Sequence, residues 1–141
     1  MRYKFLEDIA TADLAFEAYG KTLPELFTNA ALATSDAMAN LKTVSPKIKK
    51  TIILRNLELY GLLFDFLSEI ISLKDSDYMV FNKFEVKLRK GEVYELTAVV
   101  YGEKINPKKH ELHSDVKAVT MHMFEIKRLR GKWKALVILD I

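Results

Sequence analysis

Two aspartates near opposite ends of the sequence could bind a hard divalent cation. Asp140 follows an apolar run typical of a strand, and the α-carboxylate of the next residue, Ile141, must lie near its side chain. Asp13 stands where a connection that contains Glu7 and Asp8 becomes a strand. If Asp13 lies on the strand beside Asp140, these mutually repelling carboxylates favour Ca²⁺, Mg²⁺ or Mn²⁺. The alternative is a frayed, solvated C-terminus beside an unrelated loop aspartate.

Lys117 is a single cation within an apolar segment. The alternation of a strand places it on one face with Val119, Met121 and Met123. A lysine on such a face either protects an exposed sheet edge or neutralises nearby carboxylates. The residues alone leave both explanations open.

Three histidines lie close together in the second half of the sequence, and two of them have a spacing compatible with metal binding. His110 and His113 are separated by three positions, but the sequence supplies no third ligand near them. The simpler interpretation is that His110 and His113 are exposed loop residues and that His122 belongs to a strand.

A basic run surrounds the last predicted turn and contains the only tryptophan of the chain, Trp133. An aromatic ring among cations could stack on a nucleotide base, so the run could contact RNA. A solvated hairpin tip is the alternative explanation. The run consists of Lys127, Arg128, Arg130, Lys132 and Lys134.

The composition is that of a single globular domain, spanning residues 1–141. An apolar content of 50% with 29% charged residues excludes an intrinsically disordered chain. The formal net charge of +3 does not by itself indicate a nucleic-acid binder. Because the sequence has no cysteine, disulfides, thiolate zinc sites and cysteine nucleophiles are excluded.

The common signatures of nucleotide, zinc and serine chemistry are missing from the sequence. It has no glycine-rich phosphate loop, no H-E-x-x-H motif and no G-x-S-x-G motif. No uncharged stretch approaches the roughly 20 residues of a membrane span, and the N-terminus has no apolar signal-peptide core. We therefore expect a cytoplasmic protein with no membrane partner.

Two segments have the periodicity of helices. The first opens at Thr22, which has Glu25 three residues later as in a capping box and Pro24 in the first turn, and its apolar stripe extends to Leu41. The second is apolar on most of its circumference, and we expect it to begin after Asn56 as its N-cap and to stop at the polar residues 74–77.

The remaining segments predict strands, and Lys90-Gly91 and Arg130-Gly131 mark hairpin turns between them. Helices segregated among hairpins indicate an α+β domain. We expect two helices packed on a mostly antiparallel sheet built of hairpins. The predicted strands are 3–6, 14–19, 51–54, 80–88, 93–101, 115–127 and 133–141.

A series of short motifs runs along essentially the whole chain in a specific order and spacing. The motifs are Thr11-Ala12-Asp13, Tyr19-Gly20, Thr22-Leu23-x-Glu25-Leu26-Phe27, Ala30-Ala31, Leu62-Leu63-x-Asp65-Phe66-Leu67-x-Glu69, Phe84-x-Val86, Tyr101-Gly102-Glu103, His110, Val116-Lys117-Ala118-Val119-Thr120 and Leu139-Asp140-Ile141. By these motifs the chain resembles the archease family.

The resemblance implies a protein cofactor rather than an enzyme. Its partner would be the tRNA-splicing RNA ligase, which joins RNA ends bearing a 2′,3′-cyclic phosphate or a 3′-phosphate to 5′-hydroxyl ends. The cofactor would promote guanylylation of the ligase's active-site histidine and so allow multiple turnover. Direct binding of RNA by the cofactor is not required for this activity.

The resemblance also implies roles for individual residues. The family's activating residues correspond here to Asp13, Lys117 and Asp140. A divalent ion would be held by Asp13, Asp140 and the carboxylate of Ile141, with Ca²⁺ expected and Mg²⁺ or Mn²⁺ as alternatives. Many archeases have histidine where this chain has Ala10, so no role of that histidine is transferred.

Two other classes of function are compatible with the residues. A free-standing metal-dependent phosphoester hydrolase could use the same aspartates, but it would need an open coordination position and a general base. The candidates for that base are Glu7, Asp8 and the loop histidines, and Glu7 or Asp8 could also occupy the space of the missing histidine. An RNA-binding module or chaperone could instead use the basic C-terminal hairpin with Trp133, and its affinity would depend steeply on salt.

Overall fold

The computed structural model describes residues 1–7 and 13–141. This part of the chain forms strands, two α-helices and one short 3-10 helix at Leu41–Thr43. The helices are α1 (Leu23–Met38) and α2 (Leu59–Asp77). The strands are β1 (Tyr3–Leu6), β2 (Asp13–Gly20), β3 (Ile48–Asn56), β4 (Met79–Lys90), β5 (Tyr94–Lys104), β6 (Ala118–Leu129) and β7 (Lys132–Asp140).

The strands divide between two antiparallel sheets. The four-stranded sheet has the order β1-β2-β7-β6, and the three-stranded sheet has the order β3-β5-β4. α1 packs against β2 and β4, and α2 packs against β3 and β6, so each helix contacts both sheets. The predicted α+β class, with two helices and antiparallel hairpins, is confirmed. Neither of the two described helices is both long and apolar enough to span a bilayer.

One hydrophobic core joins the two sheets and the helices between them. Phe16 from the four-stranded sheet, Phe27 and Phe66 from the helices, and Leu96 from the three-stranded sheet are fully buried in it. Burial of side chains this large is the main favourable contribution to folding. The core therefore fixes the two sheets relative to each other and leaves each with one outer face.

α1 begins where the capping pattern predicts. The Thr22 hydroxyl accepts a hydrogen bond from the Glu25 backbone N–H at 3.2 Å, and Pro24 lies in the first turn, where no intrahelical partner is needed. The helix ends at Met38 because Ala39 is extended and forms an isolated bridge with Leu112. The end of the predicted apolar stripe therefore belongs to the short 3-10 helix.

The predicted boundaries of α2 are wrong at both ends. Asn56 is the last residue of β3, and the N-cap of the helix is Glu58, two residues later. The Asn56 side chain accepts a hydrogen bond from the Glu58 backbone N–H at 2.9 Å. The polar residues 74–77 continue the helix because the Lys74 ammonium points inward and hydrogen-bonds to Asp115 and to the Val116 carbonyl. The chain leaves the helix at Tyr78, which has a left-handed conformation with φ 53°.

The β6–β7 hairpin combines a predicted turn with an unexpected bulge. Arg130 and Gly131 have φ values of 50° and 76°, as in the tight turns that match the twist of antiparallel strands. Between Thr120 and Glu125 the register with β7 shifts. Val119, before the shift, is buried, whereas Met121 and Met123, within it, are exposed, so the predicted common face of these residues is wrong.

Candidate functional site

Asp13 and Asp140 face each other across two neighbouring strands. β2 and β7 pair antiparallel, and their register places Asp13 directly opposite Asp140 at the end of the ladder. Residues paired in this way have Cβ atoms about 4.5–5.5 Å apart. Both aspartates are half-buried. The strand adjacency on which the expected cation site depends is therefore present.

The two aspartates lie on the outer face of the four-stranded sheet. Their neighbours Leu14 and Leu139 pair with each other on the inner face, where Leu139 is fully buried in the common core. Because side chains alternate along a strand, Asp13 and Asp140 point away from the helices. Both carboxylates therefore lie outside the common core.

Lys117 lies next to Asp140 through the backbone. Its N–H donates to the Asp140 carbonyl at 2.7 Å, immediately before β6 begins. β6 is an edge strand and Lys117 is exposed, as the edge-protection explanation expects. Within residues 1–7 and 13–141, no ion pair joins its ammonium to Asp13, Asp140 or the terminal carboxylate.

The Lys117 side chain lines a groove between α2 and the start of β6. The groove has a volume of about 530 Å³. Phe64 and Ile71 contribute apolar walls, and a row of serines on α2 contributes hydroxyl groups. The structure thus brings the Lys117 backbone to the aspartates while its ammonium remains available to another molecule. The serines are Ser68, Ser72 and Ser76.

Lys74 fixes the segment that leads into Lys117. Its ammonium donates to the Asp115 carboxylate and to the Val116 carbonyl, both at 2.7 Å, and pairs with Asp75 at 2.6 Å. Burial alone would lower the pKa of Lys74, but the hydrogen bonds to Asp115 and Asp75 outweigh it and raise the pKa. The sequence predicts Lys74 only as part of the polar stop of this helix, and its apolar neighbours Ile71 and Leu73 are the signal that points to burial.

His110 is buried, so its predicted exposure is wrong. Its Nε2 lies 2.8 Å from Glu103 Oε1, and its Nδ1 accepts from the Asn106 backbone N–H at 2.9 Å. Since a backbone N–H only donates, this network assigns the donating proton to Nε2, which faces Glu103. Both ring nitrogens are therefore occupied within the protein.

The other histidines do not complete a metal site with His110. The ring of His113 hydrogen-bonds to the Asp36 carbonyl at 2.8 Å, and His122 is exposed on β6. Among the residues that the structure describes, no three His, Asp or Glu side chains come together in a way that could hold a metal ion. The paired-histidine site is therefore not supported.

Glu103 joins the two long loops that flank the three-stranded sheet. Its Oε1 accepts from the Ser45 backbone N–H at 2.9 Å and from the Lys109 ammonium at 2.7 Å, in addition to His110. Burial would raise the pKa of Glu103, but these hydrogen bonds lower it to about 2. A charged carboxylate thus ties residues 105–114, which lead toward Lys117, to the loop around Ser45.

A divalent ion fits the aspartate pair only if further oxygen donors join it. Carboxylates are suitable ligands for Ca²⁺, Mg²⁺ and Mn²⁺, and two that face each other are relieved of repulsion by a cation. Among the described residues, Asp13 and Asp140 supply carboxylate oxygens, and the carboxylate of Ile141 follows Asp140 directly in the chain. Asp8, Ala10 and the Thr11-Ala12 pair lie outside the described residues.

The basic hairpin is less open to a nucleic acid than its sequence indicates. The Arg128 guanidinium lies 5.3 Å from the centre of the Trp133 ring, which is partly buried against the core. Lys127 pairs with Glu125 at 3.4 Å, and Lys134 pairs with Glu17 on β2. Stacking of a base on Trp133 would have to displace Arg128.

Comparison with known proteins identifies the family. Residues 3–141 match the Archease protein family (MTH1598/TM1083). The chain is 39% identical to protein archease of Methanosarcina mazei, with 99% of this chain and 96% of the relative covered. It is 40% identical to protein archease of Pyrococcus furiosus, with 93% and 94% covered.

Solved structures share the fold. The solution structure of Methanobacterium thermoautotrophicum protein 1598 superposes with a TM-score of 0.87 at 38% identity, covering 99% of this chain and 98% of that one. The crystal structure of an archease from Thermotoga maritima, described as a possible chaperone, has a TM-score of 0.65 at 21% identity, covering 94% and 93%. The family match over nearly the whole sequence and these close relatives show that the chain belongs to the archease family.

Proposed function

We propose that this chain activates the tRNA-splicing RNA ligase by promoting guanylylation of the ligase's active-site histidine. The single observation that carries the proposal is the register of Asp13 opposite Asp140, with the Lys117 backbone bonded to Asp140. These are the three positions that correspond to the activating residues of archeases. The description of the Thermotoga maritima relative as a possible chaperone also fits a protein that acts on another protein.

Guanylylation needs an attacking histidine in line with a triphosphate and stabilisation of the charge on the leaving pyrophosphate. The outward-facing Asp13 and Asp140 offer carboxylate oxygens at the end of a rigid sheet, where they can approach the ligase's nucleotide site. Lys117 holds the Asp140 backbone through its own N–H, and its ammonium, in the groove beside α2, can contact a phosphate. The chain's part in the reaction is therefore to place charged groups at a site that the ligase completes.

Asp13, Asp140 and the Ile141 carboxylate would hold the divalent ion, for which Ca²⁺ is the first choice and Mg²⁺ or Mn²⁺ are alternatives. When bound, the ion supplies positive charge that offsets the repulsion between the carboxylates. The protein itself contributes the rigid β2–β7 pairing, which sets the separation of the two aspartates.

The proposal is tested by RNA joining with the cognate ligase in excess RNA, with and without this chain. We expect many turnovers with the wild-type chain and about one per ligase with Asp140→Asn, because the amide keeps the shape but removes the charge. Glu92→Gln, at an exposed position in the β4–β5 turn, is the matched control and should activate fully. Undiminished activation by a correctly folded Asp140→Asn chain would overturn the proposal.

The same preparation distinguishes the other classes of function. Metal-dependent cleavage of a phosphodiester by the isolated chain, lost in Asp13→Asn, would identify a hydrolase. Failure to activate the ligase together with protection of an unfolded client protein would identify a general chaperone. Neither result is expected from a specific ligase activator.

A further inference from the structure

The outer face of the three-stranded sheet carries the chain's excess positive charge. Its residues point away from the helices because their neighbours along each strand, such as Ile52, Phe84 and Ala98, are buried in the core. We call this surface the basic face. It consists of Lys49, Thr51, Ile53 and Arg55 on β3, Lys83, Glu85, Lys87 and Arg89 on β4, and Glu95, Thr97, Val99 and Tyr101 on β5.

We propose that the basic face binds single-stranded RNA through its phosphates. Five lysines and arginines and two glutamates give this face a formal charge of +3. The whole chain, with 22 basic and 19 acidic residues, has the same net charge of +3. The charges of the rest of the molecule therefore sum to zero, although the β6–β7 hairpin is also rich in cations, of which Lys127 and Lys134 are ion-paired.

Contacts within the basic face leave its lysines without acidic partners. Glu95 is shared by Arg55 at 2.8 Å and Arg89 at 3.1 Å, so one carboxylate serves two guanidinium groups. Over the described residues, no ion pair involves Lys49, Lys83 or Lys87. These three exposed lysines can each meet a phosphate without breaking an ion pair between described residues.

The arrangement of these cations suits an extended anionic chain. Lys49 and Lys83 flank Tyr101 on opposite neighbouring strands, which places their backbones about 10 Å apart. Lys87 lies four residues further along β4, roughly 13 Å from Lys83. The Lys83 ammonium lies 4.8 Å from the centre of the Tyr101 ring and is held there over the middle of the sheet.

The residue types favour RNA over an acidic protein as the occupant. The centre of a protein–protein interface is depleted in lysine and glutamate and contains aromatic or other large apolar anchors. The cations of the basic face lie on its two outer strands, β3 and β4, and Ile53 is its only strongly exposed large hydrophobic side chain among the described residues. Interfaces with nucleic acids are more polar and much more positively charged, which matches this surface.

The position of the basic face also separates it from the aspartates. Asp13 and Asp140 lie on the outer face of the other sheet, and the helices lie between the two sheets. RNA bound on one side would therefore leave the other side free for the ligase. This last step rests on the proposed function, whereas the binding of RNA does not.

The test is fluorescence anisotropy of a labelled oligouridylate titrated with the chain at several salt concentrations. We expect the triple variant Lys49→Gln/Lys83→Gln/Lys87→Gln to bind at least about tenfold more weakly than the wild type. The slope of the logarithm of affinity against the logarithm of salt concentration should become shallower by roughly 2, since each phosphate contact on a single strand contributes about 0.7. The matched control Lys127→Gln/Lys132→Gln/Lys134→Gln removes the same charge from the β6–β7 hairpin and should keep its affinity within about twofold.

Three results would overturn the proposal. They are equal losses in both triple variants, no binding of oligouridylate by the wild-type chain at low salt, and displacement of the RNA by polyglutamate at equal charge concentration, which would indicate an acidic protein instead. Guanylylation of the ligase without RNA is measured in parallel. The basic-face variant should stimulate it like the wild type, so a failure of RNA binding and a failure of ligase activation are read separately.

Discussion

The ammonium of Lys74 on α2 bonds to the carboxylate of Asp115, 41 residues later in the chain, at 2.7 Å. The same ammonium bonds to the carbonyl of Val116, whose successor Lys117 is bonded to Asp140. A buried helix is thereby connected through two consecutive residues to the end of the sheet that carries the aspartate pair. This connection gives Lys74 a positioning role in the proposed activation.

Replacing Lys74 with methionine should weaken both the fold and the activation. The variant keeps the aliphatic stem but removes the hydrogen bonds to Asp115 and Val116, which costs about 2 kcal/mol of unfolding free energy. Denaturant unfolding measures that loss, and Lys108→Met, at an exposed loop position, is the control. Ligase activation should fall several-fold at temperatures where the variant is still folded. A variant as active as the control would show that Lys74 only stabilises the fold.

Acid should weaken the connection between the two long loops through Glu103. The folded-state pKa of Glu103 is lowered to about 2 from an ordinary value of 4.5. Its charged form therefore stabilises the folded chain above pH 4.5, and this contribution is lost as the pH falls from 4.5 toward 2.

The measurement is the melting temperature as a function of pH for the wild type and Glu103→Gln. We expect the variant to melt lower at neutral pH and to show a shallower decline in acid, because it has no carboxylate to protonate. Parallel curves for the two proteins would contradict this assignment.

Divalent cations should stabilise the chain through the aspartate pair. A ligand that binds only the folded state at a hundred times its dissociation constant adds about 2.7 kcal/mol to stability. We expect Ca²⁺ or Mn²⁺ to raise the melting temperature of the wild type but not of Asp13→Asn/Asp140→Asn. In the presence of a chelator, the variant should be at least as stable as the wild type because the opposed charges are gone. Equal responses of both proteins to the ions would count against a metal site here.

The features that could be predicted from the sequence are those that depend on neighbouring residues. The start of α1 follows from the Thr22 side chain and a backbone N–H three residues away. The β6–β7 turn follows from Arg130-Gly131, where glycine readily adopts the positive φ that the turn requires.

The features that could not be predicted depend on partners far away in the sequence. His110 is buried because Glu103 also binds the Ser45 backbone, 58 residues away from Glu103. Met121 and Met123 are exposed because the register with β7 shifts between Thr120 and Glu125, which no local pattern reveals.

The division into two sheets also arises at long range. It follows from the pairing of β2 with β7 and of β3 with β5, which hairpin signals do not specify. The same β2–β7 pairing is what places Asp13 opposite Asp140, so the geometry of the candidate site required the tertiary structure.

The central claim is tested most directly by transfer of labelled GMP from GTP to the ligase histidine, in the presence of Mn²⁺ and the absence of RNA. The wild-type chain should increase the rate and extent of labelling of ligase that has completed one round of joining. Asp13→Asn and Asp140→Asn should each abolish the increase, while Glu92→Gln should not. Labelling that is unaffected by the wild-type chain, or equally stimulated by both aspartate variants, would contradict an activator that acts through Asp13 and Asp140.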